Sequence, residues 1–281
     1  MPTVETNGIE TYYEEYGEGV PIVCLHGADS DHQLFAEQFE PLADDARIIV
    51  YDLRGHGQTG ESNKDMYSVD LYTQDLAALV DELGLESPII CGLSLGGMIG
   101  YTFAATRPEQ LSGLVTLGAP TPQTFSFGER LLRVEVTRLI TPVMGNERLM
   151  SAFQWVMERV FSDSSTVDMD DIERIRETHS CDDTEMDSTE RAKMMRGVQD
   201  YIGSSVDWQS VNIPVLAMYG EDEPFVEQHA EFVRERIGEC RVEKIPDASH
   251  NSHIDNAEFI IEHTRKFLDD VSAERRPAAT E

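Results

Sequence analysis

Short apolar segments alternate along this chain with longer segments whose apolar residues recur every three or four positions. Pro21–Leu25 and Ile89–Cys91 are continuous apolar runs, and Leu114–Leu117 is apolar apart from Thr116. Such segments are typical of strands that are buried on both faces. Ser68–Leu83 has apolar residues at the spacing of one helix face, and Gly84 follows as a stop signal. This alternation predicts an α/β fold with a mostly parallel sheet that helices cover on both faces.

The alternation is interrupted once. Residues 121–208 contain four helical stretches and no clear strand, so we expect them to be a helical insertion. The core would then consist of residues 1–120 and 209–281. A length of 281 residues fits one large domain of this kind.

The charge of the chain narrows the classes of partner. It has 53 acidic and 22 basic side chains, a formal net charge of −31, and no basic stripe of the kind that binds nucleic acid. No apolar run approaches 18 residues, so we expect no membrane span, and the first residues lack the pattern of a signal peptide. We therefore expect a cytoplasmic protein that binds neither nucleic acid nor a membrane.

The acidic residues are spread over the whole chain, and the basic residues are 18 arginines and only four lysines. Abundant acid with so little lysine resembles the salt-adapted proteins of halophilic archaea, in which concentrated salt screens the repulsion between carboxylates. An ordinary acidic protein from another source is the alternative interpretation.

Gly92–Gly96 has the pattern G-x-S-x-G and lies between a predicted strand and a predicted helix. In that context the pattern favours a sharp turn that lifts the Ser94 hydroxyl above the sheet edge, while the glycines let the backbone pass closely. The amides at the start of the following helix then point to where negative charge develops. A glycine-rich turn without a chemical role is the alternative.

Four further motifs accompany this serine turn in the chain. They are Leu25–Gly27, Asp52–Gly57, Gly220–Pro224 and Ala248–His250. With these motifs in this order, the chain resembles the α/β-hydrolase fold family over nearly its whole length. The resemblance implies an eight-stranded sheet, a helical cap formed by residues 121–208, and a nucleophile at Ser94. It implies no cofactor and no metal, and the four cysteines show no metal-ligand spacing.

A serine hydroxyl is a poor nucleophile near pH 7, so Ser94 requires a base. His250 follows a predicted strand and opens the loop before the last helix, where the family places its base. His253, three residues on, is the alternative base and otherwise a pocket or surface residue. His229 and His263 fall inside predicted helices, and we expect both to face solvent.

The base requires an orienting carboxylate, and two neighbouring residues compete for that role. The family usually places its acid three residues after the glycine that ends the strand, and counting from Gly220 reaches Glu223. Asp222 carries the commoner side chain but stands one position too early. We favour Glu223 and keep Asp222 as the alternative.

The resemblance also implies that two backbone amides form the oxyanion hole. These are the amides of Leu95, which follows the nucleophile, and of Ala28, which follows the Leu25–Gly27 motif. Asp29 comes next, and we expect its carboxylate to face solvent or, with Ser30 and Asp31, to help cap the next helix.

Two histidines in the motifs are expected to be structural. His26 would pack under the oxyanion loop. His56 lies in the Asp52–Gly57 motif, which we interpret as a tight turn with an aspartate–arginine pair.

The predicted function is that of a cofactor-free serine hydrolase. Seven of the eleven methionines lie between Met144 and Met195, and methionine makes an adaptable apolar wall. Although helix core is the alternative role for any single one, together they favour a small, largely apolar ester, lactone or related acyl substrate. A serine at position 94 argues against dehalogenases and epoxide hydrolases of this fold, which use aspartate there.

Other functions remain open at this point. Enol-lactonases, C–C bond hydrolases and perhydrolases share these motifs. A small-molecule receptor on the same fold, with slow or no turnover, is the alternative from another class. The sequence does not decide whether the protein is a homo-oligomer.

Overall fold

The computed structural model describes residues 2–124, 186–223 and 226–274. Most of the predicted cap, including its methionines from Met144 to Met169, lies outside the described residues.

The described strands form one eight-stranded sheet in the order β1-β2-β4-β3-β5-β6-β7-β8. The strands are β1 Thr3–Thr6, β2 Ile9–Tyr16, β3 Val20–Leu25, β4 Ala46–Tyr51, β5 Ile89–Leu93, β6 Gly113–Leu117, β7 Val215–Gly220 and β8 Cys240–Ile245. The first two join the sheet antiparallel, and every later pairing is parallel. The predicted fold class is therefore confirmed.

Helices cover both faces of the sheet. The described helices are α1 Gln33–Phe39, α2 Val69–Glu82, α3 Leu95–Thr106, α4 Ser188–Gly203, α5 Val226–Arg236, α6 Ser252–Asp255 and α7 Ala257–Glu274. Successive strand residues point to opposite faces, so Val23 packs with α2 and α3 while Ile22 packs with α1 and α7. Two buried layers result, one on each side of the sheet.

Helix α2 illustrates how the sequence sets an element's bounds. Ser68 has an extended backbone, and its hydroxyl accepts a hydrogen bond from the Leu71 amide at 3.1 Å, which caps the first turn. The buried positions Tyr72, Leu76 and Leu79 then face the core at helical spacing. The helix ends before Gly84, in agreement with the sequence-based expectation.

The parallel register brings several motif residues to one edge of the sheet. Leu93 is paired with Leu117, and Gly220 is paired with Ile245. The segments that follow β3, β5, β6, β7 and β8 therefore leave the sheet at the same side, where open α/β sheets bind their ligands.

The expectation for His229 was wrong. This residue lies in α5 as predicted, but it is only 9% exposed. Its Nδ1 accepts a hydrogen bond from the Thr121 amide at 3.3 Å, and its ring stacks on Tyr219. The helix is amphipathic, and His229 falls on the inward face between Val226 and Val233.

The Asp52–Gly57 turn also differs from the expectation. Arg54 forms its ion pair with Asp75 of α2, donating from Nε at 2.8 Å and from Nη2 at 2.6 Å. The Asp52 carboxylate instead accepts from the amide and Nδ1 of His32, at 2.7 and 2.8 Å, and from the Gln58 amide at 2.7 Å. The aspartate–arginine pair thus ties the turn to a helix rather than closing it internally.

No helix in the described ranges is both long and apolar enough to cross a bilayer.

Candidate active site

Ser94 occupies a strained turn between β5 and α3. Its φ is +49° and its ψ is −106°, a conformation that L-residues seldom adopt. Its amide donates to the Leu117 carbonyl at 2.9 Å. A Cβ on Gly92 would lie 2.3 Å from the Gly96 carbonyl, and one on Gly96 would lie 2.2 Å from the Leu25 carbonyl. The turn therefore requires both glycines, in agreement with the interpretation of this motif.

Backbone amides lie beside this serine. Leu95 is the first residue of α3, so its N–H has no acceptor within the helix and lies at the positive end of the helix dipole. A Cβ built on Gly27 would lie 3.7 Å from the Ser94 Cβ. The loop that carries Ala28 therefore runs next to the serine.

His26 anchors that loop from below. The residue is fully buried, its Nε2 accepts from the Leu53 amide at 3.0 Å, and its Nδ1 donates to the Gly27 carbonyl at 2.7 Å. Burial holds the pKa of His26 well below its usual value. The ring is neutral as a result, which accepting at Nε2 requires, and the expected structural role agrees with these contacts.

Asp29 makes a contact that the sequence did not indicate. Its carboxylate accepts from Arg191 Nε at 2.7 Å, which links the loop after β3 to the first turn of α4. The Asp29 side chain is 25% exposed. The amide of Gln33 at the start of α1 is instead bonded by Asp31, at 2.9 Å.

The structure brings His250 and Glu223 together. His250 Nδ1 lies 3.3 Å from Glu223 Oε2, and the side chains are 15% and 9% exposed. The other oxygen, Oε1, accepts from the Gly220 amide at 2.9 Å. Asp222 is exposed, and its amide donates to the Ala248 carbonyl at 3.0 Å. In this arrangement Glu223, and not Asp222, is the carboxylate against the imidazole.

His253 is buried, with 4% of its surface exposed. Burial and the neighbouring His250 lower the pKa of His253 to about 4. It is therefore neutral near pH 7 and is not a surface residue. His263 lies in α7, where its ring stacks on Phe259 and its Nδ1 bonds the Phe259 carbonyl at 2.8 Å.

Among the described residues, one group has ligand atoms close enough together for a metal ion. It consists of Asp31, His32 and Asp52, with ligand atoms within 4.8 Å of one another. The Asp52 oxygens already accept hydrogen bonds from His32 and Gln58. The geometry is therefore explained by protein contacts alone.

A serine at a sharp turn, helix-terminal amides and an imidazole against a carboxylate are the parts of an acyl-transfer site. The serine and the helix-terminal amides follow β5, the imidazole follows β8, and the carboxylate follows β7. These parallel strands end at the same edge of the sheet.

Comparisons with known proteins cover most of the chain. The model of a family described as alpha/beta hydrolase fold matches residues 20–257. A Bacillus subtilis protein named as a 2-succinyl-6-hydroxy-2,4-cyclohexadiene-1-carboxylate synthase is 31% identical over 254 residues, which cover 89% of this chain and 90% of that protein. A protein of Azorhizobium caulinodans named as a carbamate hydrolase is 32% identical over 116 residues, 41% of this chain and 43% of that protein.

Solved structures share the fold. A thermophilic esterase from Thermogutta terrifontis superposes with a TM-score of 0.69 at 24% identity, over 96% of this chain and 97% of that one. The enol-lactonase from Burkholderia xenovorans superposes with a TM-score of 0.67 at 22% identity, over 95% of this chain and the whole of that one.

Proposed function

The chain belongs to the α/β-hydrolase fold family, and we propose that it is a cofactor-free serine hydrolase acting on ester-type bonds. The observation that carries this proposal is that the strained turn at Ser94 lies on the same sheet edge as the His250–Glu223 pair. The substrate class we propose is a small, largely apolar carboxylic ester or lactone.

In this proposal, Ser94 Oγ attacks the substrate carbonyl while His250 Nε2 accepts the hydroxyl proton. Glu223 accepts from the Nδ1–H of His250 and stabilises the imidazolium that forms. The amides of Leu95 and Ala28 donate to the oxyanion; one such donor is typically worth about 2.7–4 kcal/mol.

The second half of the reaction releases the acyl group. His250 gives its proton to the leaving oxygen, and the acyl group remains esterified to Ser94. A water molecule then attacks the acyl carbonyl as His250 accepts one of its protons. When the tetrahedral intermediate collapses, that proton returns to Ser94 and the free acid leaves.

A second candidate is favoured by the Bacillus subtilis relative, which matches 89% of this chain. That protein is named as a synthase of a cyclohexadiene carboxylate and not as a hydrolase. A non-hydrolytic reaction at the same site is therefore the competing function.

The experiment is an ester assay in concentrated KCl combined with a serine-reactive phosphonate. We expect turnover of short p-nitrophenyl esters, a mass shift on the peptide that contains Ser94, and loss of both in Ser94→Ala. Ser210→Ala is the matched control, because its hydroxyl bonds only the nearby Asp207 in the described residues. Labelling of Ser94 without ester turnover would favour the non-hydrolytic candidate or a receptor. No labelling of Ser94 would overturn the proposal.

A further inference from the structure

Gly118 is the first residue after β6 and lies next to the His250–Glu223 pair. Its φ is +52°, in the left-handed region. Its amide donates to the Met218 carbonyl of β7 at 2.9 Å, so its backbone position is fixed by the neighbouring strand.

The space where a side chain of residue 118 would stand is already occupied. A Cβ on Gly118 would lie 2.9 Å from Glu223 Oε1, 3.1 Å from Glu223 Oε2 and 3.0 Å from His250 Nδ1. All three atoms belong to the carboxylate and the imidazole that contact each other. Carbon rarely packs this closely against oxygen or nitrogen, so one side chain would have to shift by a few tenths of an ångström.

The pair has little freedom to move away. Glu223 Oε1 is held by the Gly220 amide at 2.9 Å. The loop after β8, which carries His250, is held at Ser249, whose amide donates to Asp255 at 2.8 Å. A Cβ on Gly220 would lie 2.3 Å from the Ser249 carbonyl. The loop that carries Glu223 and the loop that carries His250 are therefore already in contact through their backbones.

We propose that Gly118 is a positioning residue that permits a glutamate to serve as the acid. A glutamate carries its carboxylate one methylene, roughly 1.5 Å, further than an aspartate. Because residue 118 has no side chain, the space at the end of β6 accommodates that reach, and the carboxylate then lies against His250. This inference rests on the proposed function and deepens it.

The first test is Gly118→Ala compared with Gly84→Ala. Gly84 has a similar φ, +59°, but a Cβ there would meet nothing within 4 Å, so it reports backbone strain alone. We expect Gly118→Ala to lower kcat about 10-fold with little change in KM, because a carboxylate displaced by a few tenths of an ångström orients the base less well. Gly84→Ala should retain wild-type kcat. Equal kcat in both variants would overturn the inference.

The second test varies the acid. Glu223→Asp keeps the charge but withdraws the carboxylate from the space beside Gly118, so we expect it to lower kcat. In the Glu223→Asp background, Gly118→Ala should cost no more than Gly84→Ala does, because the shorter side chain leaves no carboxylate beside residue 118 to be displaced. A purely structural role for Gly118 predicts the same loss in both backgrounds. Full kcat in Glu223→Asp would also overturn the inference, and this variant remains informative if Gly118→Ala does not fold.

Failure of the inference is distinguishable from failure of the proposed function. If the wild type labels at Ser94 and turns over esters, but Gly118→Ala matches Gly84→Ala, only the role of Gly118 is wrong. If the wild type does not label at Ser94, the proposed function itself is wrong.

Discussion

At the scale of single residues, the loop after β7 shows that a shift of one position along the chain decides whether a carboxylate contacts His250. Asp222 and Glu223 are adjacent and carry the same charge. The turn exposes the first, whereas it buries the second against His250 with one oxygen on the Gly220 amide. Since a carboxylate orients an imidazole only by direct contact, the two should differ sharply in effect.

We expect Glu223→Ala to lower kcat by about 10⁴-fold, the usual effect of removing the orienting carboxylate of a triad. Asp222→Ala should leave kcat within about twofold, as surface substitutions do. Ester hydrolysis in concentrated KCl measures both. The reverse order of effects would move the acid to Asp222 and remove the basis of the role proposed for Gly118.

His253 gives a prediction about pH. Burial lowers the pKa of this residue to about 4 in the folded protein, whereas the unfolded value is near 6.5. Between these values the unfolded chain binds a proton that the folded chain does not. The stability contribution of neutral His253 is therefore complete above about pH 6.5 and is lost as the pH falls toward 4.

We therefore expect the free energy of unfolding to fall between pH 7 and pH 5, and to fall less in His253→Leu. Urea unfolding at constant KCl measures it, with His263→Leu as the control. Burial also lowers the pKa of His26 and His56, so part of the pH dependence should persist in the variant. An unchanged slope in His253→Leu would contradict the assignment.

At the scale of elements, α4 is the described α-helix of the predicted cap, residues 121–208. Its buried Glu190 accepts from the Tyr67 hydroxyl and from Lys193 Nζ. Burial alone would raise the pKa of Glu190, but the hydrogen bonds from Lys193 and Tyr67 outweigh it and hold the pKa below its usual value. The helix is thus tied to the segment before α2 by a charged hydrogen bond.

Removing the hydroxyl of Tyr67 should therefore destabilise the protein. We expect Tyr67→Phe to cost about 1.5–3 kcal/mol, the range for hydrogen bonds to charged groups. Tyr51→Phe is the matched control, because the buried Tyr51 hydroxyl has no hydrogen-bond partner in the described part of the chain. It should cost little or even stabilise. Equal losses in urea unfolding would show that the Glu190 contact does not hold α4.

The elements were more predictable than the contacts between them. Hydrophobic periodicity identified the strands and α2 because burial on a sheet or a helix face imposes a local repeat. The ion pair of Arg54 was misassigned because its partner, Asp75, comes from a helix 21 residues away. Gly118 gave no signal for the same reason: its importance depends on side chains from the loops after β7 and β8, and these meet only in the folded sheet.

At the scale of the whole molecule, charge is the property that the site does not explain. With 53 acidic and 22 basic side chains, pairing each cation with one carboxylate would leave 31 carboxylates over. The described pairs include exposed ones, such as Arg47 with Glu15 and Arg265 with Asp45. Exposed pairs typically contribute about 0–1 kcal/mol each, which does not offset repulsion summed over the surface.

We propose that concentrated salt supplies this compensation. The Debye length falls from about 10 Å at 0.1 M to about 3 Å at 1 M salt, so repulsion between neighbouring carboxylates is largely screened in the higher range. The melting temperature should therefore rise substantially between 0.1 M and 3 M KCl. Sucrose is the control, because it favours compact states through exclusion from the surface and does not screen charge. An equal rise in sucrose, or a constant melting temperature in KCl, would remove the salt-adapted interpretation. Neither result would affect the proposed chemistry, because the turn at Ser94 and the His250–Glu223 contact owe their geometry to local packing.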